Sequence, residues 1–190
     1  MINIVLFGKP GAGKGTQAEF LKGKYNLVHL STGDIFRFNI KNDTELGRLA
    51  QIFMDKGDLV PDAVTIQMLQ SEVDKNPQAA GFLFDGFPRT LAQAEALDAF
   101  LATKQEEITA TVALEVDDNI LVARLLERGK TSGRPDDQDE EKIRIRYEKK
   151  KKKTAPLMHY YKDQDKFYAV DGIGSIAEVT ERLSTVLDQL

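Results

Sequence analysis

The chain has 190 residues, 42% of them apolar, enough for one compact α/β domain with small insertions. Lys and Arg total 26 against 30 Asp and Glu, and the resulting net charge of −4 argues against nucleic acid as the main partner; any basic site must be a local concentration of charge. There is no cysteine, which excludes a disulfide framework and a thiolate zinc site, and no stretch approaches the roughly 20 apolar residues of a membrane span, so the cytoplasm is the expected compartment.

In chain order, residues 2–7 are the first strand candidate, apolar at nearly every position, as a parallel strand covered on both faces should be. This start is short and runs straight into a glycine loop, so it reads as a buried strand rather than a signal peptide. Residues 14–24 read as a helix and 27–30 as a short second strand. Helices are expected over 32–39, 44–56 and 62–75, with Pro61 suited to the first turn of the last. A strand over 82–85 ends in a Gly-Phe-Pro turn, followed by a helix over 91–101, a strand over 109–116 and a helix over 119–128. Residues 129–137 carry Gly, Ser, Pro and Asp and read as a surface loop. A long helix is expected over 140–161, kinked or broken by Pro156, then a strand over 167–170 and a helix over 176–190. The alternation predicts an α/β fold with a mostly parallel sheet and helices on both faces. Residues 31–60 hold helices without an intervening strand and are the best candidate for an inserted subdomain. No internal repeat is present. The five lysines at 149–153 point all around a helix axis. They read as a solvated surface, partly balanced by Asp139, Glu140, Glu141 and Glu148.

The strongest chemical signal is Gly8-Lys9-Pro10-Gly11-Ala12-Gly13-Lys14-Gly15-Thr16. It matches G-x-x-x-x-G-K-[ST] except that Gly15 fills the hydroxyl position and Thr16 follows. It lies between a strand and a helix, the context the motif requires. Glycines let backbone N–H groups converge on phosphate oxygens, and the helix N-terminus adds positive potential. Gly11, Ala12, Gly13, Lys14, Gly15 and Thr16 are therefore the expected ATP-binding segment. Lys14 reaches the terminal phosphates, and Thr16 supplies the nearest hydroxyl. Asp85 ends an apolar strand, where open α/β sheets place their sites.

The run from Gly8 to Gln17 resembles the nucleoside monophosphate kinases, and more of the chain fits that family. Leu30-Ser31-Thr32-Gly33-Asp34 with Arg37, Gly57-Asp58-Leu59-Val60-Pro61-Asp62, and Phe84-Asp85-Gly86-Phe87-Pro88-Arg89-Thr90 with Gln93 look like its monophosphate-binding segments. Arg124, Arg128, Arg134 with Asp136-Asp137, and Arg146 follow in the family's order. The resemblance spans nearly the whole chain and is strongest to the adenylate kinases in their short-lid form. It implies a single P-loop kinase domain over 1–190, with a helical monophosphate-binding subdomain at 31–60 and a short lid at 128–137, and a monomer acting on ATP, AMP and ADP. It implies that Arg37 and Arg89 hold the AMP phosphate, and that Arg124, Arg128, Arg134 and Arg146 gather around the ATP phosphates and the transferred group. Catalytic roles fall to Lys14, Arg89, Arg124, Arg134 and Arg146. Thr32, Asp58, Leu59, Val60, Gly86, Phe87, Pro88 and Gln93, with Arg134 and Arg146 shared with the transferred group, complete the AMP site, and Phe87-Pro88 is expected to be cis. Gly174 stands where long-lid members carry a lysine, leaving a backbone contact to the ATP base. Asp85 would orient Mg²⁺ through water, and no zinc is expected. Guanidiniums suit the task physically. They bind phosphate oxygens in pairs and stay charged. Thr32 also suits a helix cap, and Arg144, two residues from Arg146, reads as a surface ion pair. The alternatives to an ATP:AMP phosphotransferase are a UMP/CMP kinase and a non-catalytic nucleotide-binding module.

Overall fold

The computed structural model describes residues 1–56, 58–132 and 137–190, except the side chains of Arg146 and of 149–153. Its strands are β1 (Ile2–Gly8), β2 (Val28–Ser31), β3 (Gly81–Asp85), β4 (Ala110–Glu115) and β5 (Phe167–Asp171). Its helices are α1 (Lys14–Tyr25), α2 (Thr32–Lys41), α3 (Glu45–Met54), α4 (Asp62–Asp74), α5 (Leu91–Thr103), α6 (Asp118–Ser132), α7 (Glu140–Lys162) and α8 (Ile176–Leu187). The strands form one sheet in the order β2-β3-β1-β4-β5, with every pairing parallel.

The two-residue period of a strand sorts its side chains between two cores. Ile4, Leu6 and Leu83 face α1, α6 and α8, where Leu21, Leu121, Leu125 and Leu183 cover them. Val5, Phe82 and Phe84 face the other way, toward Leu69, Leu97, Leu101, Leu157 and Tyr161 of α4, α5 and α7. Burial of each such side chain contributes roughly 1.5–3 kcal/mol, which explains why the central strands read as continuous apolar runs. A third, separate cluster of Phe36, Ala50, Val60 and Met68 joins α2, α3 and the start of α4. Residues 31–60 therefore pack onto α4 through a cluster separate from the two sheet cores.

Register positions the site. Leu6 of β1 and Ser31 of β2 both stand opposite Asp85, and Gly8 stands opposite Leu114. The loop leaving β1 thus emerges between the carboxyl ends of β3 and β4, where open α/β sheets hold ligands.

Three local expectations are corrected. Residues 129–132 are not loop but the last turn of α6. Gly129 is buried there because Asp137 packs against it; a Cβ would stand 2.5 Å from the Asp137 carbonyl oxygen. That contact overrides glycine's poor helix propensity. Helix α7 runs through Pro156 without a break. Ile143 and Tyr147 anchor its first half in one core, and Leu157 and Tyr161 anchor its second half in the other. Pro61 occupies the N-cap position, one residue before α4 rather than in its first turn. Among the described residues, no helix is long and apolar enough to cross a membrane.

Candidate active site

Helices α2, α3, α5, α7 and α8 are capped at their N-termini by the side chains of Ser31, Thr44, Thr90, Asp139 and Ser175. Helix α1 differs. Its N-cap is Gly13, at φ +91°, with no side chain to accept from the first amides. Those N–H groups and the helix dipole are left for an anion. Gly11 turns the loop at φ +85°, and a Cβ there would stand 3.2 Å from the Leu121 carbonyl oxygen, so α6 packs against bare backbone. Tyr147 donates to the Pro10 carbonyl at 2.9 Å, and Arg124 reaches the Gly11 carbonyl at 3.4 Å. The loop is braced from outside while its inner face stays open. Lys14 donates to the Gly8 carbonyl at 2.8 Å, folding its ammonium back over the loop.

Gln17, 3% exposed, extends this bracing to the far end of the cleft. It donates to the Ile176 carbonyl at 3.1 Å and accepts from the Thr180 hydroxyl at 2.8 Å. Helix α1 is thereby tied to α8 beside Gly174, whose φ is +126°.

Asp85 ends β3 in a buried position. Burial alone would raise its pKa, but His29 and the charges of Lys14 and Arg89 outweigh that and hold it below the ordinary aspartate value. His29 Nε2 lies 3.6 Å from Asp85 Oδ2, and its Nδ1 lies 3.8 Å from Glu19. Sequence reading did not identify His29. Only the parallel register, which pairs His29 with Leu83, brings it to the face of Asp85.

The segment after β3 is a web of side-chain hydrogen bonds. The Phe87–Pro88 bond is cis, as expected, and Phe87 is buried. Arg89 Nε donates to the Gly86 carbonyl at 2.6 Å, and the Thr32 hydroxyl donates to the same oxygen at 2.9 Å. Thr32 is therefore not the cap of α2, because Ser31 accepts from Asp34 instead. The Arg89 backbone N–H donates to Gln93 Oε1 at 2.7 Å, and Gln93 Nε2 donates to Asp62 at 2.8 Å.

A cavity of about 590 Å³ collects most of the expected residues. Loop residues 11–16 form one wall. Arg37, Asp85, Gly86 and Arg89 line it from the β3 side, and Arg124, Arg128 and Gly174 from the α6 and α8 side. A second cavity of about 510 Å³ lies against the same loop and takes in Leu59 and Pro88, with Lys14, Gly86 and Arg89 shared. Thr32, Val60, Phe87 and Gln93 are buried, and Asp58 is exposed; these five line neither cavity. Two arginines already have carboxylate partners. Arg37 pairs with Asp34, and Arg128 binds the fully buried Asp137 at 2.6 Å. Arg144 pairs with Glu140 on the surface, as expected. Arg134 and the side chain of Arg146 lie outside the described residues, as do the lysine side chains at 149–153. No cluster of three or more metal-ligating side chains exists among the described residues. A cation here would lean on the phosphates of its nucleotide and on Asp85. Asp85 suits that task, since its neighbours keep it ionised. One uncapped helix start faces several guanidiniums across a single cleft. That arrangement can hold two phosphorylated molecules end to end.

A family model described as "Adenylate kinase" matches residues 6–166. The chain is 77% identical to an adenylate kinase of Flavobacterium psychrophilum and 74% identical to one of Flavobacterium johnsoniae, in each case over 190 residues and all of both chains. It is 46% identical to an adenylate kinase of Thermobifida fusca over 186 residues, 98% of each chain.

Proposed function

The chain belongs to the adenylate kinase family and is an ATP:AMP phosphotransferase; from that premise we propose how its residues divide the work. The observation that carries the assignment is the uncapped α1 N-terminus facing Arg37 and Arg89 across one cavity. An AMP phosphate oxygen attacks the γ-phosphorus of ATP as the bond to the β-phosphate oxygen breaks, so two ADP form without a protein nucleophile. Catalysis is then positioning plus stabilisation of charge spread over the transferred group. Loop residues 11–16 hold the ATP phosphates, and Lys14 leaves the Gly8 carbonyl to follow the γ-phosphate. Arg124 and Arg128 support the same phosphates, with Arg134 and Arg146 assigned to the transferred group from the sequence pattern. The backbone at Gly174 meets the ATP base. Arg37 and Arg89 hold the AMP phosphate, while Thr32, Asp58, Leu59, Val60, Gly86 and Gln93 surround its ribose and base on the cis turn of Phe87 and Pro88.

Mg²⁺ carried with ATP would neutralise phosphate charge, and Asp85 is the residue that would orient its water. Residues 31–60 act as the monophosphate-binding subdomain and 128–137 as a lid that excludes water once AMP is bound.

A coupled assay with ATP and each of AMP, CMP, UMP and GMP tests this division. AMP should lead CMP and UMP by at least about tenfold in kcat/KM. A chain that prefers UMP would overturn the base-site assignment.

A further inference from the structure

We propose that Asp62 sets base selectivity at the acceptor site, by fixing which way round the Gln93 side-chain amide faces. The inference rests on the reading that Gln93 meets the AMP base.

The structure gives this amide two partners. The Arg89 backbone N–H reaches Oε1 at 2.7 Å, and Nε2 reaches Asp62 Oδ1 at 2.8 Å. A backbone N–H can only donate, and a carboxylate can only accept. Both partners therefore dictate the same orientation. Gln93 is 2% exposed, so water has little access to satisfy a turned amide. Asp62 is itself held. The Thr90 hydroxyl donates to its other oxygen at 2.8 Å, and that hydroxyl accepts from the Gln93 backbone N–H at 3.2 Å. Asp62 is the first residue of α4 and Thr90 caps α5, so helix termini anchor the whole arrangement.

With Oε1 and Nε2 each committed once, the amide has one acceptor lone pair and one N–H left. Adenine presents their complement, an amino donor beside a ring-nitrogen acceptor, the pattern that a glutamine amide reads. Hypoxanthine and guanine carry a carbonyl in place of that amino group and an N–H beside it. Pairing with them needs the amide turned over. Turning sets Nε2–H against the Arg89 N–H and Oε1 against the Asp62 carboxylate. Two hydrogen bonds are lost, one of them charge-assisted, in a site that water scarcely reaches. The locked amide separates amino bases from keto bases. Asp62 is thus a positioning residue that acts through Gln93.

IMP is the diagnostic acceptor, because it differs from AMP only in that carbonyl and its adjoining N–H. Steady-state kinetics with ATP as donor would compare AMP and IMP on the wild type, Asp62→Asn and Asp62→Ala. The wild type should prefer AMP by about a hundredfold or more in kcat/KM. In Asp62→Asn the new side chain can turn its own amide to donate, so a turned Gln93 is tolerated. The AMP:IMP ratio should fall by about tenfold, chiefly through a rise for IMP. Asp62→Ala should lower the ratio in the same direction, because no carboxylate opposes the turned amide. The Arg89 N–H persists in both variants, so the preference shrinks without reversing. A merely structural role for Asp62 would lower kcat/KM for both acceptors by one factor and leave the ratio unchanged. That result would overturn the proposal. If Asp62→Ala fails to fold by circular dichroism, the isosteric Asp62→Asn decides. A wild type that does not distinguish AMP from IMP would instead overturn the placement of Gln93 at the base, and the proposal with it.

Discussion

The two ends of the cleft are made of different material. The loop after β1 presents mainly backbone: an uncapped helix start, glycines at positive φ, and a lysine resting on a carbonyl of its own loop. The segment after β3 presents side chains. Thr32, Arg89, Thr90, Gln93 and Asp62 form a continuous chain of hydrogen bonds from the start of α2 to the start of α4. On the proposed division of work, the difference follows from what each end would recognise. Phosphate is common to every nucleotide, and amides with a helix dipole suffice for it. A base must be told from other bases, and that needs donors and acceptors in a fixed order. Damage at the loop should therefore strike every acceptor alike, while damage at the web should change which acceptor is chosen.

The largest effect should come from Lys14→Met, which should abolish turnover with all acceptors while circular dichroism stays native. Activity near wild type, or a loss confined to one acceptor, would break the division between the two ends. Arg134→Ala should come next, with kcat lowered by about 10³-fold or more, the scale of an arginine on a transferred phosphoryl group. Calorimetric ATP affinity should change far less, because the loop still holds the triphosphate. A fall in kcat only in proportion to lost ATP binding would remove the lid role.

Thr32→Ala sharpens the comparison from the other side. Removing its hydroxyl leaves the Gly86 carbonyl to Arg89 alone. One such bond is worth about 1 kcal/mol. The preference for AMP over CMP and UMP should shrink roughly fivefold, while KM for ATP stays put. An unchanged preference would make Thr32 a simple tether.

The smallest effect concerns acid. Asp85 has a depressed pKa despite burial, through His29, Lys14 and Arg89. Its ionised form therefore stabilises the fold above the ordinary aspartate range, and that contribution is lost as pH falls through its folded value. Urea midpoints at about pH 6 and about pH 3 should drop more in the wild type than in Asp85→Asn. Equal drops would mean that Asp85 is not held charged by its neighbours.

The sequence alone determined the strand–helix alternation, the phosphate loop and the Asp-Gly-Phe-Pro-Arg turn. Each is a local matter, because backbone geometry and period-two or period-3.6 patterning are written within a few residues. Tertiary structure decided the rest. Pro156 reads as a break from its own ring, but burial on both sides of it carries α7 through. Gly129 reads as loop, yet packing against Asp137 keeps it helical. Arg128 and Asp137 were both named from the sequence pattern, whereas the buried ion pair between them was not legible there. His29 carried no signal at all, and Gln17 and Asp62 stood in the sequence only as members of family-like runs, with nothing to show the contacts they make. Thr32 meets Gly86 across 54 residues, Gln93 meets Asp62 across 31, and Gln17 meets Ile176 across 159. No local pattern encodes such pairs, because they exist only once the parallel register of all five strands has set their ends side by side.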